Sequence, residues 1–333
     1  MDLKQFYHRR KVLVTGAGGF IGSHLTEALA RAGAHVTAMI RYSSSPAWGN
    51  LEHLPLDLKN SIKVIAGNIE DPEFVIQAVR DQNIVFHLAA LVAVPYSYVA
   101  QRNYVRTNIE GTLNVLEAAR RPGVSRVVHT STSEVYGTAI TDRIDESHPL
   151  QGQSPFSASK IGADKIAESY FRSFSTPVVT VRPFNTFGPR QSARAFIPTI
   201  ISQAATREVI ELGALDTLRD MTFVGDTVSG FLAAGATSGI EGETINLGTG
   251  KAFLVSHFAH RILSLMKVKK RIARDPERIR PATSEVFRLV SNNEKAWRLL
   301  RWMPETSIDE GLRLTISFVE ANIASYRAND YNI

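Results

Sequence analysis

A run of small residues, Gly16-Ala17-Gly18-Gly19-Phe20-Ile21-Gly22, follows the β-branched stretch 11–15 at once and leads into an amphipathic segment. Glycines at these positions each have a task. One makes the sharp turn out of a strand, another lets backbone N–H groups close on a pyrophosphate at a helix N-terminus, and the third lets that helix pack on the strand. The chemistry expected of Gly16, Gly18, Gly19, Phe20, Ile21 and Gly22 is therefore dinucleotide binding. Where an acidic side chain would grip the adenosine ribose of NAD, at the end of the second strand, the chain has Arg41-Tyr42-Ser43-Ser44. Arginine there suits a 2′-phosphate, so NADP is expected ahead of NAD. Asn68, beside Ile69 after the third strand, can hydrogen-bond adenine, and Leu88-Ala89-Ala90 offer a side-chain-poor pass along the cofactor.

For these residues to converge, short buried strands must alternate with helices. Strands are expected at 11–15, 35–40, 62–66, 84–88, 126–130 and 178–182, and helices at 20–32, 72–80, 104–120 and 157–174. That alternation predicts an α/β fold, a doubly wound parallel sheet of the Rossmann kind with a smaller α/β substrate-binding domain. The cofactor domain is expected at 1–181 and the substrate domain at 182–333, with 222–248 returning to the first. After 182 the pattern gives a helix near 197–206, a segment 222–234, a strand 243–247 and a basic helical tail.

The 333 residues are 44% hydrophobic and include no cysteine, which excludes disulfide scaffolds, thiolate metal sites and a thiol nucleophile. No apolar run approaches the roughly 18 residues that span a bilayer, and the first residues are polar and basic, so a soluble, cytoplasmic protein without membrane contact is expected. The formal charge of +6 is concentrated between Arg261 and Arg301, with twelve basic and four acidic residues. This stretch lacks interleaved aromatics and any nucleic-acid module, so it reads as a solvated face or a contact for a small phosphorylated ligand. His257 and His260 share a helix face but have no third ligand, and no metal is expected.

Two further segments stand out: Thr130-Ser131-Thr132-Ser133-Glu134-Val135-Tyr136-Gly137 after the fifth strand, and Ser154-Pro155-Phe156-Ser157-Ala158-Ser159-Lys160 opening a helix. With the glycine run they resemble the extended short-chain dehydrogenase/reductases, the family of NAD-dependent nucleotide-sugar epimerases and dehydratases. Further marks of it are Arg182-Pro183-Phe184-Asn185-Thr186-Phe187-Gly188-Pro189-Arg190, Arg219-Asp220-Met221-Thr222-Phe223-Val224, and Arg280-Pro281 with Ser284-Glu285. Within the family the chain is most similar to 4,6-dehydratases acting on nucleotide-linked N-acetylglucosamine in legionaminic-type sugar pathways.

The resemblance implies a reaction that begins by oxidising a sugar hydroxyl at carbon 4. It needs a base for the hydroxyl proton, a cation that keeps the base ionisable, and a nicotinamide that accepts hydride. The family's base is a tyrosine four residues before the lysine; here that position holds Phe156, which can neither donate nor accept a proton. Either Phe156 was introduced to trap bound substrate, or the enzyme uses another route, and the intact neighbouring motif favours the first. Lys160 is implied to bind the nicotinamide ribose and Thr132 the sugar hydroxyl. Glu134 is implied to remove the proton at carbon 5 so that water leaves carbon 6. Ser133 stands where glucose-nucleotide dehydratases carry an aspartate, so Glu134 would handle both protons. Asn185, Arg219 and Arg280 match positions that contact phosphates or ribose of a nucleotide-diphosphate sugar, with Arg190 and Arg194 near the sugar end. The expected function is conversion of UDP- or GDP-N-acetylglucosamine to the 4-keto-6-deoxy sugar nucleotide. The alternatives are a UDP-glucuronate decarboxylase or 4-epimerase, and a silent NAD(P)-binding sensor or scaffold. Helices 104–120 and 157–174 resemble the pair that builds the family's homodimeric four-helix bundle.

Overall fold

The computed structural model describes residues 2–44 and 46–326. Each of the six strands expected in the first half forms: β1 Lys11–Thr15, β2 His35–Arg41, β3 Lys63–Gly67, β4 Ile84–His87, β5 Arg126–Thr130 and β6 Val178–Pro183. The second half adds β7 Asn185–Phe187, β8 Val209–Leu212, β9 Leu218–Phe223, β10 Thr244–Leu247, β11 Ala252–Leu254, β12 Arg271–Arg274 and β13 Arg288–Leu289. β10 returns to pair with β6, completing a seven-stranded parallel sheet in the order β10-β6-β5-β4-β1-β2-β3. All four residues of β4 and all six of β6 are buried, as a parallel sheet covered on both faces requires.

Helices Phe20–Arg31 and Val224–Ala236 cover one face through a core that includes Val12, Val14, Leu25, Leu29, Phe86 and Phe231. Pro72–Val79, Gly111–Ala119 and Pro155–Phe174 cover the other around Leu13, Val75, Val85, Val115 and Val127. This is the doubly wound sheet read from the sequence. Strand order reverses between β1 and β4, which opens a crevice at their carboxyl ends, the place where such sheets bind ligands. Across that crevice β9 pairs with β7, β11 and β13, and helices Phe196–Thr206, Val255–Met266 and Ile308–Ala321 pack around Ile197, Ile201, Phe258, Ile262 and Leu312.

Three local readings are revised. The basic tail is not continuous helix: Arg271–Arg274 forms β12, held in register beside β8, because a parallel partner is available for Ile272 and its neighbours. The first residues, read only as polar and basic, form a short helix, Leu3–Tyr7, capped by the Asp2 carboxylate and anchored by the buried Tyr7 hydroxyl donating to Leu232 O (2.7 Å). The helix expected over 104–120 is interrupted: Gln101–Tyr104 passes through a π-helical segment, Val105–Glu110, into Gly111–Ala119. That segment turns Asn108 inward, where its side chain accepts from Leu91 N (2.9 Å) and donates to Leu91 O (3.0 Å) and Ser159 Oγ (2.9 Å). The loop after β4 is thereby tied to helix Pro155–Phe174. That helix starts sharply, with Ser154 and Ser157 forming a reciprocal capping box and Pro155 in its first turn.

Candidate active site

The glycine run forms a cradle that side chains would close. Gly16 has φ +70° and lies so near the β4 loop that a Cβ would stand 2.8 Å from Ala89 N. At Gly22 a Cβ would stand 2.2 Å from Gly16 O, and at Gly18 2.8 Å from Trp48 O. Thr15 Oγ1 accepts from Leu88 N and Ala89 N (both 3.1 Å), drawing the two strand ends together. Backbone N–H groups at the start of helix Phe20–Arg31 face this space, and the fit to a dinucleotide pyrophosphate is that of chain to phosphate without intervening side chains. Arg41 is exposed at the end of β2. Asn68 is also exposed, its side-chain oxygen accepting from Glu70 N (3.1 Å), while Ile69 beside it is buried.

On the next strand, β5, the last residue and the turn after it carry the polar groups. Thr132 caps the turn Ser133–Tyr136, its hydroxyl accepting from Glu134 N (3.2 Å). Glu134 projects a side chain that is 12% exposed, and Arg280 Nη1, from the loop before the short turn Ala282–Ser284, approaches its carboxylate to 3.6 Å. Arg280 also lies 4.0 Å from Glu285, which accepts from Arg219 Nη2 at 3.2 Å. Two carboxylates and two guanidinium groups thus form one cluster. Arg280 Nη1 in this cluster, and Asn185 Nδ2 on β7, are buried without a hydrogen-bond acceptor, as groups awaiting an anionic or hydroxyl-rich ligand would be. Arg194 is exposed, and its charge acts on the Tyr104 hydroxyl. Arg190 does not face this cleft: it pairs with Glu27 of helix Phe20–Arg31 at 2.6 Å, because that carboxylate meets the turn at 188–190 where the two halves pack.

Phe156 is 5% exposed and sits in an apolar nest with Val94 and Tyr104, the Tyr104 ring edge-on at 6.3 Å. One turn later Lys160 is buried and donates from Nζ to Thr130 O (2.6 Å). Burial pushes its ammonium down to about 8, with Asp164 opposing. Asp164, a further turn along, accepts from His129 Nε2 (3.0 Å), Ser131 Oγ (2.7 Å) and the Arg182 fork (2.9 and 3.1 Å). Burial alone would raise this carboxyl, but the His129 hydrogen bond and the charges of Arg182 and Lys160 hold it at about 2. The network fixes β5, β6 and the lysine helix to one another, and so sets the Lys160 contact with Thr130. A cavity of about 840 Å³ borders Asp164 and Arg182 but none of the glycine cradle, Lys160 or Glu134.

Replacing Asp164 with Asn leaves a buried guanidinium short of its counter-charge, and stability is expected to fall by about 3–5 kcal/mol in denaturant titration. The pH dependence has a definite sign. The carboxyl is easier to ionise when folded (about 2) than when unfolded (3.8), so its contribution is complete above about pH 4 and is lost as pH falls towards 2. That acid-side component should be missing from the D164N titration.

The glycine cradle follows β1, Thr132 and Glu134 follow β5, and Lys160, in the first turns of its helix, reaches the end of β5 through Thr130 O. Sequence reading missed the Asp164 network, Asn108, and the meeting of Glu134 with Arg280. Only the four-residue step from Lys160 to Asp164 along one helix face could have flagged the first.

Fold and site together define an extended short-chain dehydrogenase/reductase, the class of NAD-dependent nucleotide-sugar dehydratases and epimerases. The chain belongs to the GDP-mannose 4,6-dehydratase family, whose model matches residues 13–315. It is 30% identical over 328 residues to the dTDP-D-glucose 4,6-dehydratase of Mus musculus, covering 96% of this chain and 91% of that one. Among solved structures it is similar to the epimerase Mth375 of Methanothermobacter thermautotrophicus, with a TM-score of 0.88, 32% identity, and coverage of 98% and 97%. It is also similar to the UDP-glucuronic acid 4-epimerase of Bacillus cereus, solved with UDP-glucuronic acid and NAD, with a TM-score of 0.85, 28% identity, and coverage of 94% and 99%.

Proposed function

We propose that the chain is a nucleotide-sugar 4,6-dehydratase that takes UDP- or GDP-N-acetylglucosamine to the 4-keto-6-deoxy sugar nucleotide. The observation that carries this reading is Glu134: a sheltered carboxylate at the carboxyl end of β5, in the turn that follows Thr130, whose carbonyl oxygen accepts from Lys160. An epimerase needs no such base, because oxidation, rotation and reduction never touch carbon 5.

Gly16, Gly18, Gly19, Phe20, Ile21 and Gly22 hold the pyrophosphate, Arg41, Asn68 and Ile69 the adenosine end, and Leu88, Ala89, Ala90 and Lys160 the nicotinamide end. When bound, a nicotinamide dinucleotide supplies reversible hydride acceptance, from carbon 4 and back to carbon 6. Thr132 orients the carbon-4 hydroxyl. Once carbon 4 is a ketone, the carbon-5 hydrogen is acidic; Glu134 takes it and protonates the departing hydroxyl at carbon 6, with Ser133 in the same turn. Asn185, Arg219 and Arg280 hold the diphosphate and ribose, and Arg194 stands at the rim. Phe156 removes the usual phenol, so turnover is impaired. The cofactor half comprises 1–181 with 222–248, and the sugar-nucleotide half the rest of 182–333. Two copies pair through helices Gly111–Ala119 and Pro155–Phe174.

A second reading, decarboxylation or 4-epimerisation of UDP-glucuronate, draws support from Arg280 beside Glu134, since a cation there suits a carboxylate at carbon 6. The test incubates the Phe156→Tyr protein with UDP- and GDP-N-acetylglucosamine, dTDP-glucose and UDP-glucuronate and weighs the products by mass spectrometry. Loss of water supports the dehydratase, loss of carbon dioxide the decarboxylase, a product of unchanged mass that separates chromatographically from its substrate the 4-epimerase, and no change in mass or retention for any sugar nucleotide the silent binding protein. Binding calorimetry settles the cofactor. Arg41 on a 2′-phosphate is worth about 1.5–3 kcal/mol, so NADP is expected to bind about 10- to 100-fold more tightly than NAD, and Arg41→Ala to remove the difference.

A further inference from the structure

With Phe156 at the usual proton-transfer position, the cleft still contains a phenol. Tyr98 packs its ring against the nest of Val94, Tyr104 and Phe156, and its hydroxyl reaches 2.5 Å from Ser284 Oγ. Ser284 spends its single proton on Gln153 O (2.5 Å), so Tyr98 is the donor in their shared hydrogen bond. Ser284 belongs to the short turn between Arg280 and Glu285, and Arg280 in turn meets Glu134. The Tyr98 oxygen therefore lies between the Phe156 nest and the wall of the cleft that carries the guanidinium groups.

The other polar groups nearby are committed elsewhere. Tyr104 is fully buried and donates to Ala93 O (2.5 Å), and burial pushes its phenol up to about 12. Tyr136 is fully buried and its oxygen is shared by Arg182 and Asn246 (both 2.8 Å). Lys160 is turned to Thr130 O. Tyr98 is half-buried, and its hydroxyl, bonded among the described residues to Ser284, makes a contact that a sugar hydroxyl can replace.

We propose that Tyr98 is a catalytic residue: its oxygen receives the carbon-4 hydroxyl proton in the oxidation step, in the place left by Phe156. This rests on the dehydratase reading above. The balance is simple. The Tyr98 phenol first releases its proton to solvent at the rim of the cleft; the phenolate then takes the O–H proton and becomes a phenol again, the C–H electron pair leaves carbon 4 as hydride to a nicotinamide acceptor, and the C–O bond becomes a carbonyl. Tyr98 then returns its proton to solvent from the rim of the cleft.

The experiment compares the native chain with Tyr98→Phe, Phe156→Tyr and the double variant, with Tyr96→Phe as a control on a neighbouring exposed phenol. Each is loaded with cofactor and sugar nucleotide, and both reduced-nicotinamide absorbance and keto-sugar product are followed across pH. Calorimetric titration with UDP and with cofactor checks that each variant folds and binds as the native chain does. Tyr98→Phe is expected to slow the native chain by about 100-fold or more with its dissociation constants unchanged, and to flatten the rise of rate with pH. The same change in the F156Y background should cost less than about threefold, because the better-placed phenol there takes the proton. Should Tyr98→Phe misfold, Ser284→Ala serves instead: it removes the partner of the hydroxyl and should shift the pH profile of the native chain alone. Equal losses in both backgrounds, an unchanged native rate, or a native chain that is inert while F156Y is active would each overturn the assignment to Tyr98. Failure of F156Y on every sugar nucleotide would overturn the dehydratase reading itself, and this inference with it.

Discussion

Glu134→Gln, placed in the Phe156→Tyr background so that turnover is easily measured, should abolish release of the 4-keto-6-deoxy product while leaving oxidation at carbon 4 intact. The amide keeps the volume of the carboxylate and can still reach Arg280, so the cleft stays filled. What it loses is the lone pair that takes the carbon-5 proton. Loss of a positioned acid–base group costs roughly 10²- to 10⁴-fold, or about 3–5 kcal/mol of transition-state stabilisation. The signature is a split between steps: one equivalent of reduced nicotinamide forms and persists, and no water is lost. KM should change little if, as proposed, Asn185, Arg219 and Arg280 hold the nucleotide end, since that role does not require position 134 to be ionised. If dehydration proceeded within tenfold of the parent rate, Glu134 would not be the base.

The second large effect runs in the opposite direction. Phe156→Tyr is expected to raise turnover by about 10²- to 10⁴-fold. The new hydroxyl would extend from a ring already seated in its nest, one helical turn before Lys160, so no rearrangement of the helix is required. The Lys160 ammonium, buried and held against Thr130 O, then favours the phenolate through its charge. Because burial lowers that ammonium to about 8, the gain should decline as pH rises through 8 and the lysine loses its proton. Stopped-flow measurement of nicotinamide reduction from mildly acid to alkaline pH checks both the size and the slope. A gain below threefold at neutral pH would mean that the phenol position is not limiting.

Much of this arrangement was legible in the sequence because it depends on local rules. Gly16, Gly18 and Gly22 are required by backbone approaches of under 3 Å, and such approaches leave a mark that no other residue type can make. Strands β4 and β6 are buried along their whole length and read as short β-branched runs, while β3, at the sheet edge, is only partly covered. What stayed hidden depends on pairings between distant segments. Arg280 and Glu134 lie far apart in sequence, and neither neighbourhood points to the other. Arg190 was expected at the sugar end from its place in a motif, yet the half-buried Glu27 carboxylate on helix Phe20–Arg31 claims it. The π-helical turn at Val105–Glu110 is equally silent in sequence, since one extra residue in a helix keeps the same composition and only shifts which face Asn108 presents.

The central claim, that a carboxylate at position 134 exchanges the proton on carbon 5, is tested most directly by running the Phe156→Tyr protein to completion in deuterium oxide and examining the product by NMR. The account predicts one solvent deuteron at carbon 5, with the hydrogen originally on carbon 4 now on carbon 6, and no such label from the protein that also carries Glu134→Gln. A sugar nucleotide converted without deuterium at carbon 5 would contradict it, and would make the chain an epimerase or decarboxylase with an idle glutamate.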